Sequence, residues 1–287
     1  MEIRPLGNTD LQISRLGFGA ARIGDGVPLD RLEELFNTLL DMGVTFIDTA
    51  DCYVDSEELL GRILGPRLRE CVVATKCGCL IDGVEGEKYS RPVIAQNIDN
   101  SLARLGVEQL DLVLLHTCSA EVLRAGDAAA ALLEAKAAGK VRYTGYSGDG
   151  EDALQAISMG VFDALQVTFN VIDRSALPEV LPAAQQAGMG VIAKRPIANA
   201  RLTQADSPHF HQAVHWDAVR QLPAAAGLWQ DPLELSLRYT LSHDVINTAI
   251  IGTNDPQHAR DNVRRATAGP LPASVLEALS ALESDDG

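Results

Sequence analysis

The chain has 287 residues, 46% of them hydrophobic and 22% charged, a content that excludes global disorder and suffices for a sizeable core. Acids outnumber bases 39 to 24, giving a formal charge of -15 and a pI near 4.7. That balance excludes the electrostatic footprint of a nucleic-acid or anionic-lipid binder, so any phosphate-bearing ligand must be held by a local cluster of donors.

In chain order, the opening MEIRPLG has neither the basic start nor the apolar core of a secretory signal, and no run approaches about 18 uncharged apolar residues. The chain is expected to be cytoplasmic, with no membrane partner. EIRPL and LQISRL then flank the turn formers Gly7, Asn8, Thr9 and Asp10, so residues 1–15 read as a β-hairpin able to plug the bottom of a barrel.

Short apolar runs then alternate with helical stripes. Strands are expected at Arg15–Phe18, Val44–Asp48, Cys71–Thr75, Leu112–His116, Val141–Tyr146, Ala164–Thr168, Val191–Lys194 and Ile246–Ile251. Continuous runs such as LVLL and CVVAT suit parallel strands covered on both faces. Between them, Leu32, Leu35, Phe36, Leu39 and Leu40 recur at helical spacing, as do Ile94, Ile98, Leu102 and Leu105. Ser56 reads as the cap of the EELLGRIL helix, and Gly43, Gly106, Gly139 and Gly188 as helix ends. Eight strands alternating with helices and no linker predict α/β architecture: a single (β/α)8 TIM barrel spanning residues 1–287. Residues 195–230, with Trp216 and Trp229, form a long connection after the seventh barrel strand, of the kind that is usually functional.

Five cysteines (Cys52, Cys71, Cys77, Cys79 and Cys118) sit in or beside apolar runs and read as reduced thiols. The CxC of Cys77 and Cys79 lacks a second Cys or His pair at ligand spacing, so no metal is expected. Leu16–Arg22 (LGFGAAR) carries the first two glycines of a GxGxxG loop but arginine at the third, and no helix opens at once, against a dinucleotide fold of that type.

A barrel of this class places its active site at the strand carboxyl ends, where polar residues terminate apolar runs. VTFI runs into Asp48, VVAT into Lys76 and LVLL into His116, on three consecutive strands, and Tyr53 follows on the loop leaving the first. With strands ~4.8 Å apart, the three ends converge within roughly 10 Å. Each alone has an ordinary structural reading, as a cap, a solvated end, a core histidine or loop packing; their coincidence at one face favours a site. Pocket walls are expected from Arg22 and Ile23, from Cys118 to Arg124, and from the long connection.

DTADCYVDSEELLG (48–61), ATKCG, DLVLLH, GKVRYTGYSG (139–148), QVTFNVIDR (166–174) and IIGTNDPQHARDNV together resemble the aldo-keto reductases over nearly the whole length. The resemblance implies hydride transfer between a nicotinamide cofactor and a small aldehyde or ketone, with Tyr53 as general acid. Lys76, charged by Asp48, would lower the phenol pKa, and His116 would donate to the carbonyl oxygen. It also implies Ser147 and Gln166 on the carboxamide, Gly252, Thr253 and Asn254 near the adenosine phosphate at a helix amino end, and Asp261 and Asn262 facing adenine.

Four positions depart from the family pattern, the first being Val54, where Gly is usual. Gly148 follows Ser147 where Asn is common, and Lys194 stands where relatives stack Tyr on the nicotinamide, so Lys194 or Arg195 is expected on phosphate. His258 falls where many members place Arg against a 2′-phosphate, leaving NADPH expected with only a modest preference and NAD possible. Two other readings stay open: a nicotinamide-binding redox sensor with little turnover, and a Schiff-base aldolase using Lys76, which would need that lysine neutral.

Overall fold

The computed structural model describes residues 1–81, 83–203, 219, 222 and 227–281. A two-stranded antiparallel hairpin, β1 (Ile3–Pro5) and β2 (Gln12–Ser14), precedes the barrel strands β3 (Leu16–Gly19), β4 (Phe46–Asp48), β5 (Val72–Cys77), β6 (Leu110–His116), β7 (Val141–Ser147), β8 (Ala164–Thr168), β9 (Gly190–Lys194) and β10 (Ile246–Ile251). These eight pair in parallel and in sequence order, and β10 closes the ring on β3. The expected (β/α)8 barrel with an N-terminal hairpin is the observed fold. Most of the long connection, including Trp216 and the side chain of Trp229, lies outside the described residues.

Two apolar clusters follow from the sequence pattern. Helix 29–41 buries Leu32, Leu35, Phe36 and Leu39 against the outside of the barrel, with Leu40 half-buried, and helix 91–105 buries Ile94, Ile98 and Leu105. The helix-ending glycines Gly43, Gly106, Gly139 and Gly188 all hold φ between +68° and +80°, as their positions predict. Ser56 differs. It opens helix 56–64 from within, while Asp55 precedes it at φ +52°, and its hydroxyl bonds the Ala20 carbonyl (2.9 Å) and Thr49 Oγ1 (2.8 Å) instead of capping.

The second cluster fills the barrel. Phe46, Ala74, Leu112, Leu114, Ala164, Ile192 and Ile250 point inward, and Leu6, Leu11 and Ile13 of the hairpin join them from below at no more than 2% exposure. Burying a leucine contributes about 2–3 kcal/mol, so the hairpin is an integral plug. Two glycines make the fit possible: a Cβ on Gly190 would lie 2.4 Å from Leu6 Cδ1, and one on Gly17 would lie 2.7 Å from the Phe46 ring. Gly17 therefore serves barrel packing, and the next helix opens only at Leu29, so LGFGAAR is no phosphate loop.

Candidate active site

Alternation along each strand builds the site. Inward-facing residues recur every second position, so the inward row that starts with an apolar residue ends in a functional one at the barrel mouth. Phe46 leads to Asp48, Ala74 to Lys76, Leu114 to His116, Gly145 to Ser147, Ala164 to Gln166, Ile192 to Lys194 and Ile250 to Gly252. Register aligns them: His116 pairs with Ser147, and Ser147 with Gln166.

These ends surround a cavity of about 560 Å³ lined among others by Asp48, Tyr53, His116, Ser147, Gln166 and Lys194. A larger groove of about 790 Å³ lies beside the opposite strand ends, with Val72, Leu110 and Arg142, and holds none of these groups. Chemistry, and not volume, identifies the site.

At its floor Lys76 Nζ lies 2.8 Å from both Asp48 oxygens, 2.7 Å from the Thr49 carbonyl and 3.4 Å from the Tyr53 hydroxyl. Lys76 and Asp48 are buried, 1% and 3% exposed. Burial works to lower the Lys76 pKa, but Asp48, with Tyr53, outweighs it and the ammonium sits above its ordinary value. Tyr53 departs from the expectation. Burial raises its pKa, Lys76 pulls it down, and the net result is above the ordinary phenol value. Its oxygen accepts from Lys76, which leaves its own proton free to point elsewhere.

The Tyr53 loop is braced by further residues of the DTADCYVDSEELLG stretch. Besides the Ser56 bonds, Glu57, 1% exposed, accepts from Thr75 Oγ1 at 2.5 Å and pairs with Arg104 at 3.3 Å. The Tyr53 and His116 rings meet edge to face, centroids 6.0 Å apart. His116 Nδ1 faces two sulfurs, Cys52 Sγ at 3.4 Å and Cys79 Sγ at 3.6 Å.

Gln166 Nε2 donates to Asp48 Oδ1 at 2.7 Å, and its Oε1 accepts from Ser147 Oγ at 2.9 Å. Both are 2% exposed and present spare lone pairs to the cavity wall, a fit for the donor face of a carboxamide. Gly148 has a physical reason here: a Cβ would sit 2.3 Å from the Tyr146 hydroxyl, so the usual Asn cannot enter without moving that ring.

Lys194 pairs with Asp149 at 3.1 Å; burial lowers its pKa, which Asp149 opposes. Arg195 follows it at φ +57°, as Thr117 follows His116 at φ +57°. Such backbone costs ~1–3 kcal/mol and here lies at the cavity mouth. Gly252 approaches Gly19 so closely that a Cβ would meet its carbonyl at 2.5 Å.

Gly252, Thr253 and Asn254 line the cavity. The helix start beyond them is already engaged by an anion: Asp255 accepts from the Gln257 amide at 2.7 Å and pairs with Arg31 at 2.9 Å. Thr253 Oγ1 accepts from the Asp255 amide, and Asn254 Nδ2 donates to the Arg22 carbonyl. His258 is exposed on the first turn of helix 256–267, Asp261 contacts Gln257 and Arg264, and Asn262 is buried and accepts from Arg265. None of the three is among the cavity-lining residues. Of the expected walls, Arg22 lines the cavity, as do Arg195 and Asn199 of the long connection, whereas Ile23, Cys118 and Leu123 are buried in the core; Thr117 lines it unforeseen.

Among the described residues no helix is long and apolar enough to cross a membrane. The sequence model of the Aldo/keto reductase family matches residues 15–284. The chain is 29% identical to L-galactose dehydrogenase of Arabidopsis thaliana, covering 99% of this chain and 94% of that protein. It is 30% identical to the NADH-specific methylglyoxal reductase of Escherichia coli, with 90% and 91% covered. The holo form of aldo-keto reductase AKR11C1 from Bacillus halodurans superposes with a TM-score of 0.85 at 26% identity, covering 98% of this chain and 96% of that one. With its fold, its strand-end polar cluster and these matches in agreement, the chain belongs to the aldo/keto reductase family of oxidoreductases.

Proposed function

We propose that this protein reduces a small aldehyde or ketone with Tyr53 as the proton donor, and that the same residues serve the reverse oxidation. The observation that carries the reading is the chain Asp48–Lys76–Tyr53, buried at one end and opening on the cavity at the other. A nicotinamide cofactor would supply the hydride. Ser147 and Gln166 would hold its carboxamide, and Lys194 and Arg195 its phosphates.

Carbonyl reduction leaves an alkoxide that needs a proton. Tyr53 keeps its proton through the neutral range, and Lys76 stabilises the phenolate left once it is given up. His116, beside Tyr53, orients the carbonyl oxygen by a hydrogen bond. Asp48 holds Lys76 charged and in place, which disfavours the aldolase reading, since a Schiff base needs a neutral amine.

At the adenosine end, Asp255, the exposed His258, and the ion pairs of Arg31, Arg260 and Arg264 leave little unengaged positive charge for a 2′-phosphate. We infer that NADPH is preferred over NADH only slightly. The relative from Escherichia coli, named as NADH-specific, shows that this family accommodates the alternative.

Tyr53→Phe tests the core reading, because it removes only the hydroxyl. Turnover with a reactive aldehyde should fall at least ~100-fold while cofactor still binds. Turnover at the wild-type rate rejects Tyr53 as the acid. A wild-type protein that binds cofactor yet fails even in a single turnover supports the sensor reading instead.

A further inference from the structure

We propose that Asp51, Cys52, Cys79 and His116 form a tetrahedral site for a thiophilic divalent cation, with Zn2+ the fitting ion. Sequence spacing alone points away from such a site, because Cys77 and Cys79 have no second pair nearby in the chain. The fold changes the set. Cys77 is buried in the core, while the turn after β4, the segment after β5 and the end of β6 bring four other donors together. One carboxylate oxygen, two Sγ atoms and one ring nitrogen all lie within 4.8 Å of one another.

Three observations carry the proposal. With zinc bonds of about 2.05 Å to nitrogen and 2.3 Å to sulfur, a tetrahedron has an N···S edge of about 3.6 Å. The His116 Nδ1 distances to Cys52 Sγ and Cys79 Sγ, 3.4 and 3.6 Å, already match that edge. Second, Asp51 is 4% exposed and neither of its carboxylate oxygens has a hydrogen-bond partner among the described residues. A buried carboxyl group with no hydrogen-bond partner is the setting a cation relieves. Lys76 is unavailable, being committed to Asp48, Thr49 and Tyr53.

Third, the donor set is selective. Two sulfurs and an imidazole suit zinc and not magnesium or calcium, and the exposed Cys52 gives a path of entry. Neither Cys52 nor Cys79 is tied up in a disulfide, so both sulfurs are available as ligands. Each cysteine that binds as a thiol breaks its S–H bond, forms an S–Zn bond and releases its proton to solvent, with no change of oxidation state. Coordination at Nδ1 leaves the ring's proton on Nε2, the tautomer in which His116 can donate a hydrogen bond from its other edge. The site is defined by its four donors and stands whether or not the reductase reading does.

The test uses the full chain, reduced and freed of metal, titrated with Co2+ and then with Zn2+. The expected result is one ion per chain, with thiolate-to-cobalt charge-transfer bands and intense tetrahedral d–d bands that Zn2+ abolishes. Cys52→Ser changes an exposed residue; it and Cys79→Ser should each weaken binding by more than the ~10–100-fold lost with an outer hydrogen-bond partner. Cys71→Ala, a thiol outside the cluster, should leave binding unchanged, with melting temperatures confirming that all variants fold. A wild type without charge-transfer bands, or Cys52→Ser binding as tightly as wild type, overturns the proposal.

Discussion

Lys76 Nζ sits 2.8 Å from each oxygen of the Asp48 carboxylate, and the two side chains are 1% and 4% exposed. A buried pair of this kind adds little net stability, because desolvation consumes most of the attraction, yet removing one partner strands the other. Gln166 also donates to Asp48, at 2.7 Å, and it is neutral.

Lys76→Met, which keeps the length of the side chain and removes its charge, should therefore cost about 3–5 kcal/mol of stability. Adding Asp48→Asn should restore much of that loss. Urea denaturation of the wild type, both single variants and the double variant measures the coupling. A double variant that loses the full sum of the two single losses would show that the pair is not a unit.

The pH profile of carbonyl reduction reports Tyr53. Its pKa lies above the ordinary phenol value of 10 because burial outweighs Lys76. The active form is the protonated one, so activity is lost as pH rises through that raised pKa, and kcat/KM should show no fall from Tyr53 below about pH 10. Lys76→Met removes the positive charge that lowers the phenol pKa, so the limb should move higher still and the rate should drop. An alkaline limb centred more than about one unit below 10, unshifted in Lys76→Met, contradicts the pairing.

Cofactor choice should respond to charge at the exposed first turn of helix 256–267. His258 is exposed there and lacks the fixed charge and fork of an arginine. His258→Arg should widen the preference for NADPH over NADH by about 1–3 kcal/mol, read from fluorescence titrations with both cofactors. Tighter NADH binding in the wild type, or no widening in the variant, rejects a 2′-phosphate site at this position.

The barrel was legible in the sequence because its evidence is local. Apolar runs such as LVLL, stripes such as Leu32, Leu35, Phe36 and Leu39, and glycines at helix ends each report their own few residues of backbone. Asp48, Lys76 and His116 were legible too, since a parallel barrel sends every strand end to one mouth. The inward alternation from Ala164 to Gln166 and from Ile192 to Lys194 carried the same signal at period two.

What the sequence could not decide were pairings between distant residues. Gln166 meets Asp48 across 118 positions and His116 meets Cys52 across 64. Whether Asp255 at the helix start finds a cation, whether burial or Lys76 governs the Tyr53 phenol, and whether Cys79 finds partners at all depend on which side chains converge and how much water they lose. Periodicity fixes which face a residue occupies, but side-chain electrostatics depend on distance and dielectric, and only the closed barrel sets those.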